Sequence, residues 1–137
     1  MRKKLKSLVV IIGLVMLLAA AIIFNHLTGK KPFRHLRSSD IKSATVQLTP
    51  PDVIVEVEDI NKLAELLQDI VIYKKDNSYT EYCGQSVMFT IELNDGICTK
   101  ITAYNPFVII DGVGYKCEYG SCEALSVFGN RLLDEVD

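Results

Sequence analysis

The sequence predicts an α+β fold, a single antiparallel β-sheet with two amphipathic helices packed on one face, preceded by an N-terminal transmembrane helix. Three observations carry this prediction. An unbroken apolar run of 17 residues occupies positions 8–24. Apolar residues recur with helical spacing at 60–69 and 122–136. Seven short segments have the composition of β-strands, and tight turns rather than helices join most of them.

Residues 1–28 are predicted to be a basic cytoplasmic tail and a signal-anchor helix. Four of the first six residues are basic, and residues 8–27 suffice to cross ~30 Å of hydrocarbon at ~1.5 Å per residue. The alternative is a signal peptide cleaved after Ala21, where small residues offer a site. The apolar run is long for a signal peptide, so we favour the anchor. We expect the C-terminal domain to lie outside the cell, although both flanks of the helix are basic.

Charge divides the chain into a basic front and an acidic body. Residues 1–42 hold nine Lys or Arg and one Asp, a net +8, whereas residues 43–137 hold six basic and sixteen acidic residues, a net −10. A nucleic-acid-binding body would need a basic face, so we expect no nucleic-acid partner. Residues 29–40 are polar and are predicted to be a linker. Its basic residues form either a solvated flank or a surface attracted to anionic headgroups.

The domain at 41–137 is predicted to begin with two strands, a helix and a third strand. Pro50-Pro51 separates the first two strands, since proline cannot donate to a β-ladder. Asp59 is the expected N-cap of the helix. A polar loop at 74–78 follows the third strand. The four elements are residues 44–48, 53–57, 60–69 and 70–73.

A hairpin of strands at 87–93 and 97–103 is the clearest element. A two-residue turn would place a lysine on its apolar face. A three-residue loop at 94–96 instead pairs Phe89 with Ile101 and keeps the large apolar residues on one face. We therefore predict the three-residue loop, with its glycine left-handed in a bulge.

Three further elements complete the domain. Asn105-Pro106 is expected to force a kink or an edge position. Asp111-Gly112 predicts a two-residue hairpin turn. Ser121 is the expected N-cap of the last helix. The last two strands and the last helix are residues 107–110, 113–116 and 122–136.

Motifs for catalysis are missing from the domain. The two histidines, His26 and His35, lie in or beside the anchor, which excludes a Ser-His-Asp or Cys-His site in the body. Glycines fall at turns rather than in a phosphate-binding loop. The acidic residues at 56, 58 and 59 lack the spacing of calcium ligands or signs of a cleft. We expect no enzyme, no cofactor and no metal.

Four cysteines suggest one disulfide in an exported domain. Cys117 ends a strand and Cys122 begins a helix, so the chain reversal brings them together, and we predict a Cys117–Cys122 bond. Two buried thiols are the alternative. Cys83 shares parity with the core face of its strand and Cys98 lies on the opposite face, so we expect no bond between them.

Six tyrosines and no tryptophan are the last feature of note. Tyrosine is favoured on recognition surfaces but is also ordinary at half-buried strand positions. Three bracket the polar loop and three bracket later turns. They are Tyr73, Tyr79, Tyr82, Tyr104, Tyr115 and Tyr119.

Residues 41–133 resemble a family of small, uncharacterised, N-terminally membrane-anchored envelope proteins of Gram-positive bacteria. The segments that carry the resemblance are 44–51, 104–117 and 122–125. It implies no activity and no functional residues. We expect a membrane-anchored, extracytoplasmic, non-enzymatic binding or sensing domain, with lipid around residues 8–27 and an envelope or membrane protein as partner. The alternative is a secreted inhibitor-like module, released by cleavage after Ala21.

Overall fold

The computed structural model describes residues 1–49 and 52–136, apart from the side chains of residues 25 and 26, and it confirms the predicted α+β fold. Seven strands form one antiparallel sheet in the order β2-β1-β4-β5-β6-β7-β3. The predicted Pro50-Pro51 break lies outside the described residues. The elements are α1 (Arg2–Leu27), β1 (Ile41–Thr49), β2 (Val53–Glu56), α2 (Ile60–Gln68), β3 (Ile72–Lys75), β4 (Ser86–Leu93), β5 (Cys98–Tyr104), β6 (Phe107–Ile110), β7 (Val113–Cys117) and α3 (Tyr119–Asp134), with 3₁₀ turns at Ser38–Asp40 and Ser78–Glu81.

The predicted hairpin registers are confirmed. Phe89 pairs with Ile101 across β4 and β5, and the Leu93 N–H donates to the Ile97 carbonyl at 2.9 Å. Gly96 has φ of +89°, the left-handed conformation that the three-residue loop needs. In the β6–β7 hairpin, Asp111 and Gly112 both have positive φ, as the predicted two-residue turn requires.

Asn105-Pro106 forms the turn between β5 and β6 rather than a kink or an edge. Tyr104 pairs with Phe107 across it, and both strands lie inside the sheet. The expectation of an edge position was therefore wrong. Proline is accommodated because it sits in the turn itself, where no ladder hydrogen bond is required of its nitrogen.

One helix cap is confirmed and one is corrected. The Lys62 N–H donates to the Asp59 carboxylate at 3.0 Å, so Asp59 caps α2 as predicted. The N-cap of α3 is Glu118, not Ser121. A single residue separates β7 from α3, and Glu118 has extended backbone while its carboxylate accepts from the Ser121 N–H at 2.8 Å. The Glu118 carboxylate also accepts from the Gly120 N–H. The hydrogen bonds from Ser121, and after them the one from Gly120, lower the pKa of Glu118.

The third strand lies two residues later than predicted. The Ile70 N–H donates to the Leu67 carbonyl, which keeps Ile70 in the turn that ends α2. Pairing with β7 begins at Ile72. Lys74 and Lys75, expected in a loop, therefore belong to β3 and are exposed.

Helices α2 and α3 cover one face of the sheet and bury the main core there. Helix α3 approaches the sheet closely at Gly129. A Cβ at this position would meet the Val87 side chain, and would lie 3.1 Å from Phe89 and 3.2 Å from Val46. The fully buried side chains of this core include Val46, Leu63, Leu67, Ile70, Val87, Phe89, Ile91, Ile101, Val108, Cys122 and Leu125.

Residues 29–40, predicted as a linker, contact the domain. Lys30 forms an isolated antiparallel bridge with Ile72 of β3. Phe33 and Leu36 pack against the core, and the Gln68 amide donates to the Leu36 carbonyl. The chain therefore contacts the sheet immediately after α1 ends.

Helix α1 fits membrane anchoring. Among the described residues, one helix is long and apolar enough to cross a membrane, over the 23 residues Arg2–Phe24. Its described side chains are exposed throughout. An apolar helix that no protein covers is the form expected of a lipid-spanning segment.

Gly129→Ala should lower the free energy of unfolding, by about 1–3 kcal/mol, because the added methyl group overpacks the α3–sheet contact. Helix propensity alone predicts the opposite sign, a gain of about 1 kcal/mol. Urea unfolding of the full chain in detergent measures the difference.

Ala124→Gly is the matched control, since Ala124 is exposed on the same helix. It should lose about 1 kcal/mol through helix propensity alone. A stabilised Gly129→Ala variant would contradict the close approach of α3 to the sheet.

Candidate functional site

Strand β6 has apolar side chains on both faces of the sheet. Ala103 pairs with Val108 on the face that the helices cover, and Tyr104 pairs with Phe107 on the opposite face. Phe107 is nevertheless only 1% exposed, and Ile109 beside it is also buried. Something other than a helix must therefore cover this second face.

The chain between β3 and β4 provides the cover. The Tyr79 ring lies 6.4 Å from the Phe107 ring, and the Tyr82 ring lies 5.7 Å from it, measured between centroids. The Lys116 ammonium lies 4.5 Å from the same centroid, a cation–π distance. The 3₁₀ turn Ser78–Glu81 thus folds back over the sheet and forms a small aromatic cluster.

Polar contacts hold this turn against β7. The Asp76 carboxylate accepts from the Ser78 N–H at 2.9 Å, and the Asn77 side chain accepts from the Gly114 N–H at 2.8 Å. The hydrogen bonds from Ser78 lower the pKa of Asp76, and the positive charge of Lys116 lowers it further.

The Tyr79 ring packs against the backbone of Gly114 in β7, where a larger residue would leave no room for it. A Cβ at Gly114 would lie 2.5 Å from the Tyr79 ring carbon Cδ1 and would also meet the Asp76 carbonyl oxygen. The position of Tyr79 therefore depends on a glycine in the facing strand.

An open pocket of about 440 Å³ lies between the turn and the helix-free face of the sheet. This tyrosine-lined pocket presents three phenol rings and three aliphatic hydroxyl groups, and no Asp, Glu, Lys, Arg or His is among its described lining residues. A neighbouring depression of about 360 Å³ shares Tyr82 and Tyr104 and extends to Glu123 of α3. The lining residues of the pocket are Tyr79, Thr80, Tyr82, Gly84, Ser86, Thr102, Tyr104 and Ile109.

The six tyrosines occupy three kinds of position. Tyr79, Tyr82 and Tyr104 line the pocket. Tyr115 is a half-buried strand residue packed against the core, and the remaining two, Tyr73 and Tyr119, are exposed.

Sequence reasoning missed the fold-back of the turn and the role of Phe107 and Ile109 beneath it. A signal was present at 107–110, where four apolar residues follow one another without alternation. Such a run is typical of a strand buried on both faces.

The Cys117 and Cys122 thiols lie together between β7 and α3, but no bond joins them in this structure. A hydrogen bond between the two side chains is the main cause of their opposite shifts. It lowers the pKa of Cys117, and it raises the pKa of Cys122, which burial raises further. Cys117 also contacts the Pro106 carbonyl at 3.4 Å. The predicted disulfide remains a prediction.

Cys83 is exposed, not on the core face as expected. Strand β4 begins at Ser86, so Cys83 lies before the segment in which side chains alternate between the two faces. Its position in the alternation therefore does not predict which face it occupies. Cys98 is also exposed, and it starts β5 at the other end of the β4–β5 pair. A bond between these two cysteines within one chain remains unexpected.

Within residues 1–49 and 52–136, no three His, Cys, Asp or Glu side chains are grouped to hold a metal ion. Glu56 and Glu58 are exposed at the β2–α2 connection, and Asp59 is engaged as a helix cap. His35 is exposed, with its Nε2 atom 3.3 Å from the Arg34 guanidinium. The side chain of His26 is among those not described.

Comparison of the chain with protein-family models, with curated proteins and with solved structures finds no match.

We expect Cys117 and Cys122 to be joined in protein taken from the cell surface, because a single residue separates the strand that ends at Cys117 from the helix that holds Cys122. Peptide mapping without reduction tests this. The closed loop is short, so the stabilisation should be below the ~3 kcal/mol of a 15-residue loop. Replacing both residues by serine should lower the melting temperature by a few degrees.

Cys83→Ser with Cys98→Ser is the matched control and should leave the melting temperature unchanged, since both side chains are exposed. Four free thiols in the cell-surface protein would contradict the prediction.

Proposed function

We propose that the protein is a membrane-anchored, extracytoplasmic, non-enzymatic binding or sensing domain whose ligand occupies the tyrosine-lined pocket. The observation that carries the proposal is the pocket itself, a concave site built on the rigid strands β4 and β5. Such a site, with several convergent polar groups, is the usual form of a small-molecule site. Helix α1 supports the anchor.

The lining favours a neutral, hydroxyl-rich ligand such as a short oligosaccharide. Tyr82 is 59% exposed, so much of its side chain is open to a ligand although the ring packs against Phe107 at an interplanar angle of 46°. Phenol and aliphatic hydroxyls both donate and accept hydrogen bonds, which suits a ligand that does the same. A charged ligand would have to leave water without a counter-charge from the lining residues.

The localisation belongs to the same proposal. We place the N-terminal tail in the cytoplasm and the domain outside the cell, in line with the resemblance to anchored envelope proteins. An envelope or membrane protein is then the proposed partner for any signal, because α1 is long and apolar enough to meet such a protein within the bilayer.

Binding in the pocket is tested by titrating the full chain, in detergent, with short neutral oligosaccharides and with acidic ones of the same length. Ring-labelled tyrosine NMR should show shifts of Tyr79, Tyr82 and Tyr104 with the neutral set. Thr102→Tyr should abolish these shifts, because position 102 lines the pocket and the larger ring fills it.

Thr45→Tyr is the matched control. Thr45 lies on β1 and pairs with Thr90, outside the pocket, so this variant should bind as the unmodified protein does. Binding of the acidic set alone would contradict the ligand class. Shifts that persist in Thr102→Tyr would contradict the pocket.

Protease added to intact cells without their wall should digest the domain if it faces outward. Intact mass of the cell-associated protein should then match the uncleaved chain. Digestion that requires lysis would contradict the orientation. A released chain that starts at Ile22 would instead favour the secreted inhibitor-like module.

A further inference from the structure

Strand β3 is one edge of the sheet, and the chain leaving α1 pairs with it. The Lys30 N–H donates to the Ile72 carbonyl at 2.7 Å, and the Ile72 N–H donates back to the Lys30 carbonyl at 2.8 Å. The bridge is antiparallel, so β3 runs from Ile72 back towards the end of α1. Contacts between α1 and β3 agree with this direction.

The segment that follows α1 packs tightly against β3 and the residue before it. A Cβ on Gly29 would meet the Val71 side chain and would lie 3.1 Å from the Tyr73 ring. The last turn of α1 is closed by Thr28, whose hydroxyl donates to the Phe24 carbonyl at 2.6 Å. The exposed residues of β3 are therefore held beside the end of the apolar helix.

Five exposed residues lie on the two chain segments joined by this bridge: Lys30, Lys31, Tyr73, Lys74 and Lys75. We call them the β3 edge surface. Two of its lysines follow α1 in the sequence, and two come from β3 more than forty residues later, so folding alone assembles the patch. The nearby Asp76 carboxylate accepts from the Ser78 N–H and lies 4.0 Å from the Lys116 ammonium, and the positive charge of Lys74 also acts on it.

We propose that the β3 edge surface docks on anionic phospholipid headgroups. The location beside α1 places it at the depth of the headgroups if α1 spans a bilayer. Each lysine near an anionic membrane strengthens attachment about fivefold, and tyrosine is favoured at the membrane–water interface. Residues 43–137 carry a net −10 even with Lys74 and Lys75 included, so the rest of the domain is repelled by the same membrane, and the basic edge selects one orientation.

The absence of tryptophan from the sequence allows a single-tryptophan test. Tyr73→Trp in the full chain is reconstituted into vesicles with or without anionic phosphatidylglycerol, and quenching of the tryptophan fluorescence by spin-labelled lipids is measured. Ile54→Trp is the matched control, because Ile54 is 63% exposed on β2, the opposite edge strand of the sheet. Six strand spacings of ~4.8 Å separate these edges.

We expect several-fold stronger quenching in the Tyr73→Trp variant than in the Ile54→Trp variant, and stronger quenching in anionic than in zwitterionic vesicles. Adding Lys74→Glu and Lys75→Glu to Tyr73→Trp should abolish the effect of lipid charge. The same charge change at Lys62 and Lys100, which lie on α2 and β5, should leave it intact. Raising the salt to ~1 M should weaken it, since the screening length falls to ~3 Å.

Equal quenching in the two tryptophan variants would overturn the proposal. Quenching of Tyr73→Trp that ignores lipid charge, salt and the charge reversal at Lys74 and Lys75 would overturn the role of the headgroups. Circular dichroism of each variant confirms that the fold is retained, and Lys74→Gln with Lys75→Gln, expected to weaken the effect partially, replaces any variant that fails to fold.

Discussion

Two-sided burial of β6 is the constraint on which the organisation of the domain depends. On one face, Val108 needs α3 and the helix-side core. On the other, Phe107 and Ile109 need the turn at Ser78–Glu81. Strand β6 also lies inside the sheet, flanked by β5 and β7. The tyrosine-lined pocket lies between the turn at Ser78–Glu81 and the sheet.

Elements fixed by local chemistry could be predicted from the sequence. The β4–β5 register follows from alternation, because a slip of one residue would turn Lys100 towards the core face. Asp59 is recognisable as a cap because it directly precedes an apolar helical stripe. Positive φ at Gly96 follows from the loop length that the register demands.

Elements fixed by distant partners could not be predicted. Ile70 is β-branched, as strand residues often are. It nevertheless lies in the turn that ends α2, because pairing of β3 with β7 begins only at Ile72. Glu118 became a cap because β7 continues to Cys117 and leaves one residue before the helix. The pocket depends on Gly114 facing Tyr79 across 35 positions of sequence, and no local pattern encodes that contact.

The bridge between Lys30 and Ile72 has a mechanical consequence. The apolar run of 17 residues spans about 26 Å as a helix, slightly less than the hydrocarbon thickness of a typical bilayer. A run shorter than the hydrocarbon core is accommodated by local thinning of the bilayer or by snorkelling of the flanking basic side chains, and tilting is the response of a run that is longer than the core. Here the edge strand is hydrogen-bonded three residues after the helix ends, so a tilt of α1 turns the whole sheet with it. If α1 spans a bilayer, the orientation of the sheet on the membrane therefore follows the orientation of α1.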